Sequence, residues 1–254
     1  KYPVLKDFIG FCSPERVNIT EVDQLKALSY IVTKLRSWTQ SRIGNAFCHP
    51  STFKLDAQLF TMAVRDVGNA EDMAVIATVA YTTALRRAYG HKASVFFMDE
   101  VSTLVKFKTL SLMLGKTTAI GAKAGIRVIL AGQEVHSIET SAGGKQILAN
   151  CDIKLVGRIQ PESLDSISEV LKVPTELLAP NLTNSYTPNT GWGYSNWLLL
   201  DGRSFTWTRI YASPGTLAAV VNNVKEVDRR QELLEQADHP ILGLAQYASE
   251  LLAN

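Results

Sequence analysis

The sequence predicts an α/β protein organised around a mostly parallel sheet. Three observations carry that expectation. Apolar runs at Ala93–Met98, Ile126–Ala131 and Ile153–Val156 have the length and the β-branched or aromatic content of buried strands. Helical patterns alternate with them, as parallel crossovers require. The first run stops abruptly at Asp99-Glu100, which marks a strand end.

Taken in order, Thr20-Glu21-Val22-Asp23 offers a cap and first-turn acids, and Leu25, Leu28, Val32 and Leu35 recur at helical spacing, predicting a helix over 21–37. Thr39–Thr52 reads as a loop, Phe53–Ala57 as a short strand, and Gln58–Val67 fits no single period. Asn69 caps a helix over 70–89 that closes with Arg86-Arg87 before Gly90, cations at the negative helix end. Beyond the first strand, Ser102–Lys123 is helical with a break expected at Gly115 or Gly121. Helices follow at 140–149, Pro161–Leu171 and Thr175–Leu178, and the Asn-, Thr-, Gly- and Pro-rich Asn184–Asn196 is a loop. Trp197–Leu200 and Ser204–Ile210 flank Asp201-Gly202, a hairpin signal. Ser213-Pro214 starts a helix, and two more lie near 225–237 and 241–252.

Composition bounds the function. In 254 residues, 46% hydrophobic and 20% charged residues exclude a disordered or collagen-like chain. With 26 Lys+Arg against 24 Asp+Glu, no global basic field exists to drive free-standing nucleic-acid binding, though a local basic surface is compatible with the count. Cys12, Cys48 and Cys151 form no CxxC pair, which argues against a disulfide framework or zinc knuckle and fits a reducing compartment. No stretch reaches 18 apolar residues, and Lys1-Tyr2-Pro3 does not begin a secretion signal. His49, His91, His136 and His239 lack metal-ligand spacing.

Asp99-Glu100 is the strongest chemical signal. In a P-loop NTPase an Asp at a strand's carboxyl end holds the hydration shell of magnesium, and the adjacent Glu polarises the attacking water. The plainer reading is a helix-capping Asp beside a surface Glu. Gln133, after Ile126–Gly132, would emerge on the same sheet edge, where its amide reaches a terminal phosphate or satisfies local backbone groups. Arg158 follows the third strand and is a candidate cross-subunit guanidinium or a packing arginine; Arg127, Arg203 and Arg209 are weaker candidates. Trp192, Trp197 and Trp207 near the hairpin form a core lid or, with Arg203 or Arg209, a stacking platform. Gly115-Lys116-Thr117-Thr118 is not a phosphate loop, because the position five before Gly115 is Leu110 and the segment follows the acidic strand.

The order of these motifs resembles the carboxyl-terminal motor domain of the VirB4/TraC family of conjugative type IV secretion ATPases, relatives of the HerA/FtsK translocases. Val95–Glu100 resembles the Walker B strand, Ile126–Gln133 the later strand with its polar sensor, Ile147–Lys154 the succeeding helix and strand, and Ser166–Leu178 the segment before a terminal hairpin. The resemblance implies a RecA-like P-loop core lacking its Walker A part, flanked by helices, with a carboxyl-terminal hairpin and terminal helices. It makes 1–254 one partial motor domain: a helical or extended 1–92, a core at 93–160 and a hairpin-and-helix part at 161–254. It implies ATP and Mg as ligands, with Asp99 supporting the metal through water and Glu100, Gln133 and Arg158 as catalytic groups. It further implies a homo-hexamer, type IV secretion inner-membrane components as partners, a cytoplasmic location peripheral to the inner membrane, and DNA or protein as the transferred substrate. The sequence departs from the family at Ala122-Lys123, where an Arg-Lys pair is usual, and at Gly132, where Thr is usual. With no Gly-Lys-Thr/Ser loop before Asp99, residues 1–254 alone are expected to hydrolyse ATP poorly. A noncatalytic interaction domain and a DNA translocase are the competing functions.

Overall fold

The computed structural model describes residues 3–50, 57–64, 69–189, 191–202, 204–221 and 223–253. The chain divides into two compact units, Lys1–Arg87 and Ala88–Asn254.

The first unit is helical: α1 (Leu5–Phe11), α2 (Pro14–Val17), α3 (Val22–Trp38), α4 (Arg42–Ala46) and α5 (Ala70–Tyr89), whose last two residues belong to the second unit. The expected helices at 21–37 and 70–89 are α3 and α5. The expected loop at 39–52 instead contains α4, because the Ser41 Oγ accepts the Gly44 N–H at 3.0 Å and starts a turn there. A Cβ on Gly44 would meet the Trp38 carbonyl, so that turn packs against the end of α3. The Trp38 indole donates to Asp72 Oδ1 at 2.8 Å, and the Asp72 N–H donates to Asn69 Oδ1 at 2.8 Å, tying α3 to the capped start of α5. Of the strand expected at Phe53–Ala57, 53–56 lie outside the described residues; 57–64 form no regular element.

The second unit holds both sheets. β1 (Ser94–Met98) and β2 (Ile126–Leu130) pair in parallel, Ser94 opposite Ile126 and Met98 opposite Leu130. Between them run α6 (Val101–Leu104), α7 (Lys108–Ile120) and a 3-10 turn at Gly121–Ala124. Gly125 ends this crossover with φ +74°, and a Cβ there would meet the Lys92 carbonyl, so only glycine lets the chain turn into β2. Next come α8 (Val135–Glu139), α9 (Gly144–Asn150), β3 (Ile153–Val156), α10 (Leu164–Leu171), α11 (Thr175–Leu178), β4 (Tyr194–Asp201) and β5 (Ser204–Tyr211). Buried Ser111 on α7 accepts the Gly143 N–H at 2.8 Å and donates to Ser141 Oγ at 2.8 Å, drawing α7 onto the start of α9. Gly115-Lys116-Thr117-Thr118 lies within α7, with Gly115 set against Gln146 and Lys116 exposed.

Two details differ from the expected sheet. β3 does not extend the parallel pair. It is the edge of an antiparallel sheet ordered β3-β4-β5, with Val156 opposite Leu198 and Ile153 opposite Asp201, because the hairpin offers it a complete partner strand. β1 and β2 are also buried on one face only. Phe96 and Ile126 are covered, whereas Val95, Phe97 and Ile129 are half or more exposed. The core beside the antiparallel sheet gathers Val156, Ile159, Ile167, Val173, Leu178, Leu198 and Leu200. Fully buried Asn181 donates from Nδ2 to the carbonyls of Val156 and Gly157, each at 2.8 Å, and so clamps the end of β3.

The chain closes with α12 (Pro214–Val220), α13 (Val224–Gln236) and α14 (Pro240–Ala253), packed around Ala218, Leu233, Tyr247 and Ala248. Arg229 holds Glu250 with two hydrogen bonds, from Nε at 3.0 Å and from NH2 at 2.7 Å; this lowers the Glu250 carboxyl below its ordinary range. Among the described residues no helix is long and apolar enough to cross a membrane.

Asn181→Ala removes both Asn181 hydrogen bonds at the end of β3, one of them fully buried. It is expected to destabilise the second unit by about 2–3 kcal/mol, read as a lowered urea midpoint followed by tryptophan emission.

Candidate functional site

The carboxyl end of the β1–β2 pair is where the chemistry-bearing residues converge. The Ala131 N–H donates to the Met98 carbonyl at 2.9 Å, which continues the ladder by one step. A regular parallel ladder would return from the residue 100 N–H to the Ala131 carbonyl. Here the donor is the Val101 N–H, at 2.9 Å. One extra residue is therefore accommodated between the two bonds, a bulge at Asp99-Glu100.

Local chemistry explains how the bulge holds. The Glu100 N–H, displaced from the ladder, donates to Asp99 Oδ1 at 2.9 Å. Glu100 takes left-handed angles, φ 52° and ψ 40°, and directly precedes α6. A side chain at such angles costs about 1–2 kcal/mol. Val101 and Ser102, which follow, are buried and anchor the far side of the arch. Both carboxylates are left exposed.

β2 delivers the second half. Because the strands are parallel and in register, Gly132 and Gln133 leave the sheet at the same end as Asp99 and Glu100. A Cβ on Gly132 would lie 3.1 Å from Val101 Cγ1 and 3.6 Å from the Ser102 N, so the segment passes tightly over the start of α6. Gln133 is exposed beside the acids, and no hydrogen bond joins the three side chains among the described residues. The edge thus presents two carboxylates and one amide to solvent.

Arg158 is placed differently. It is exposed and follows β3, which belongs to the antiparallel sheet, so strand pairing does not carry it to the β1–β2 edge. Arg127 lies on the exposed face of β2 opposite Val95, Arg209 lies on β5, and Arg203 lies outside the described residues. The expected tryptophan cluster divides: Trp197 pairs with Thr208 and Trp207 with Leu198, which puts the two indoles on opposite faces of the sheet. Among the described residues no three His, Cys, Asp or Glu side chains group to hold a metal by themselves. Asp99 retains a free carboxylate oxygen, Oδ2, in an exposed position, the kind of donor that holds hydrated Mg together with substrate phosphates. Burial raises the Cys151 thiol above its ordinary pKa, which disfavours the nucleophilic thiolate.

A family model described as the TraM recognition site of TraD and TraG matches residues 94–175, from β1 to the start of α11. The solved structure of VirB4 from Thermoanaerobacter pseudethanolicus superposes with a TM-score of 0.63 at 16% identity, over 84% of this chain and 56% of that one. The chain has the VirB4 fold. It spans little more than half of the VirB4 chain it matches. No curated protein sequence matches it. The VirB4 fold accounts for the α/β class expected from the sequence, including the parallel pair with its flanking helices.

Neither Glu100's left-handed backbone nor the tight seat of Gly132 had a sequence signal of its own. Replacing Glu100 by Gly relieves the strain and is expected to raise stability by about 0.5–1 kcal/mol after glycine's entropy cost. Glu100→Val, β-branched at the same angles, is expected to lower it by more than about 1 kcal/mol. Equilibrium urea unfolding of the two variants separates these opposite signs.

Proposed function

We propose that this chain is the carboxyl-terminal motor part of a VirB4/TraC-type conjugation ATPase, with the bulged Asp99-Glu100 end of β1 as the hydrolytic side of a nucleotide site. The observation supporting it is the joint display of Asp99, Glu100 and Gln133 at the carboxyl end of a parallel strand pair. Bound Mg-ATP supplies the phosphoryl group and the charge neutralisation that hydrolysis needs. Asp99 would hold the metal's hydration shell through Oδ2, the oxygen not engaged by the Glu100 N–H. Glu100, pushed clear of the ladder by the bulge, accepts the proton of the attacking water, and Gln133 donates its amide to the terminal phosphate. Arg158 serves across a subunit boundary, where the charge of the neighbouring nucleotide develops.

The phosphate cradle is a separate requirement. Gly115-Lys116 cannot supply it from within α7, so the motor reading requires a Gly-rich loop from elsewhere in the full protein. That protein assembles as a hexameric ring on the cytoplasmic side of the inner membrane and powers conjugative transfer of DNA or protein, or pilus assembly. The 94–175 match adds a docking role for a TraM-like protein. A noncatalytic scaffold is the second reading, favoured by the helical state of the only Gly-Lys-Thr segment in the sequence. Reading the gene upstream of Lys1 for a strand followed by Gly-x-x-x-x-Gly-Lys-Thr/Ser separates the two.

In the full-length protein, Glu100→Gln is expected to lower Mg-dependent ATP turnover by about 10²–10⁴-fold with nucleotide binding retained, and Gln133→Ala by roughly 10²-fold. Unchanged turnover in Glu100→Gln would remove the general-base role.

A further inference from the structure

β5 is an edge strand without the usual protection. None of its eight residues is buried, only Thr208 is less than about a third exposed, and the run contains no Lys, no Pro and no acid. The Ala212 N–H donates to the Gly193 carbonyl at 2.7 Å. Antiparallel alternation from that bond turns the N–H and C=O of Phe205, Trp207, Arg209 and Tyr211 to the open edge, where no strand among the described residues pairs with them. The side chains of the same four residues share one face, opposite Leu200, Leu198, Asn196 and Tyr194. The helical cover over Leu198 and Leu200 stops short of them, leaving Trp207 56% and Tyr211 67% exposed.

Beside this stripe is a cavity of about 510 Å³ lined by Pro180, Tyr186, Asn196, Trp207, Thr208 and Arg209. Arg209 is held in position. Its Nε donates to Asn196 Oδ1 at 2.9 Å, its guanidinium stacks on Tyr194 with Cζ 4.0 Å from the ring centroid, and Asn196 is fixed in turn by donating to the Ser185 carbonyl at 2.6 Å. Yet no carboxylate pairs with Arg209 among the described residues. Backbone groups awaiting a strand, an oriented cation awaiting an anion, and an aromatic-walled cavity lie together.

We propose that β5 is a docking edge for an extended acidic segment of a partner protein, which adds as a fourth strand and sets a carboxylate on Arg209 and an apolar side chain against Trp207 and Tyr186. Strand addition uses the open backbone edge for affinity and alternate side chains for choice. A second copy of β5 satisfies the edge but brings no acid, since Ser204–Tyr211 has none. Single-stranded nucleic acid stacks on the aromatics but, among the described residues, finds one cation along the cavity, too few to follow a phosphate backbone.

The test uses the 254-residue chain and an array of blocked ten-residue peptides alternating Thr with apolar residues. Each peptide carries one Glu, and a matched set carries Gln at that position. Fluorescence anisotropy is expected to find Glu peptides that bind at least about tenfold more tightly than their Gln twins, a gap that closes in Arg209→Gln. Hydrogen exchange is expected to slow at the amides of Phe205, Trp207, Arg209 and Tyr211 and to stay unchanged at Ser204, Thr206, Thr208 and Ile210, which already face β4. Equal binding of Glu and Gln peptides would overturn the proposal, as would tight binding of oligothymidylate with no protection of the edge amides. Protection of those amides by self-association alone, rising with protein concentration, would overturn it in favour of a second copy. Should Arg209→Gln fail to fold by circular dichroism, the Glu/Gln comparison on the unaltered chain still decides.

Discussion

Two backbone hydrogen bonds meeting at Ala131 organise the acidic end of the parallel strand pair. One ties its N–H to Met98, the other its carbonyl to Val101, and the chain has two residues where a regular ladder has room for one. Everything distinctive at that end follows from the surplus residue. Asp99 spends one oxygen on the orphaned Glu100 N–H, Glu100 adopts a left-handed backbone, and α6 begins directly after it with Val101 and Ser102 sealed inside. Gly132 then passes close over that helix start, where a Cβ would lie 3.1 Å from Val101 Cγ1. A strained arch persists only where its surroundings fix it from several sides, and here a strand, a helix start and a glycine do so together.

Much of this was legible in the sequence because strong local patterns coincide with packing. The runs at 93–98, 126–131 and 153–156 are strands, and Asn69, Ser213-Pro214 and Asp201-Gly202 mark a cap, a helix start and a hairpin turn where the residues required them. What escaped was decided by distant partners. β3 has the composition of a central parallel strand, but its neighbour is set by the hairpin some forty residues later, and nothing within Ile153–Val156 records that choice. α4 escaped because it is a five-residue helix whose signal is a single Ser hydroxyl and a glycine under Trp38.

At the candidate site the residue types were readable and the backbone was not. Asp99, Glu100 and Gln133 follow from strand ends and parallel direction, which the sequence encodes as apolar runs with polar ends. The bulge depends on which N–H reaches Ala131, a distinction of one residue that composition does not carry. Arg158 shows the opposite case. Its proximity to the acids was inferred from strand continuity, and the sheet assignment removes that particular support.

The Asn181 clamp has a consequence for how the chain can be divided. β3 is secured by β4 on one side and by an amide twenty-five positions downstream of Val156 on the other, so its backbone partners arrive late in the sequence. The segment matched by the TraD and TraG family model ends at 175, before either fastening has been made. That boundary is therefore one of sequence kinship and not of folding. A fragment cut there would keep Val156 beside Ile159, Ile167 and Val173 but leave the backbone of β3 unpaired, and any attempt to express the shared region alone should extend through the hairpin.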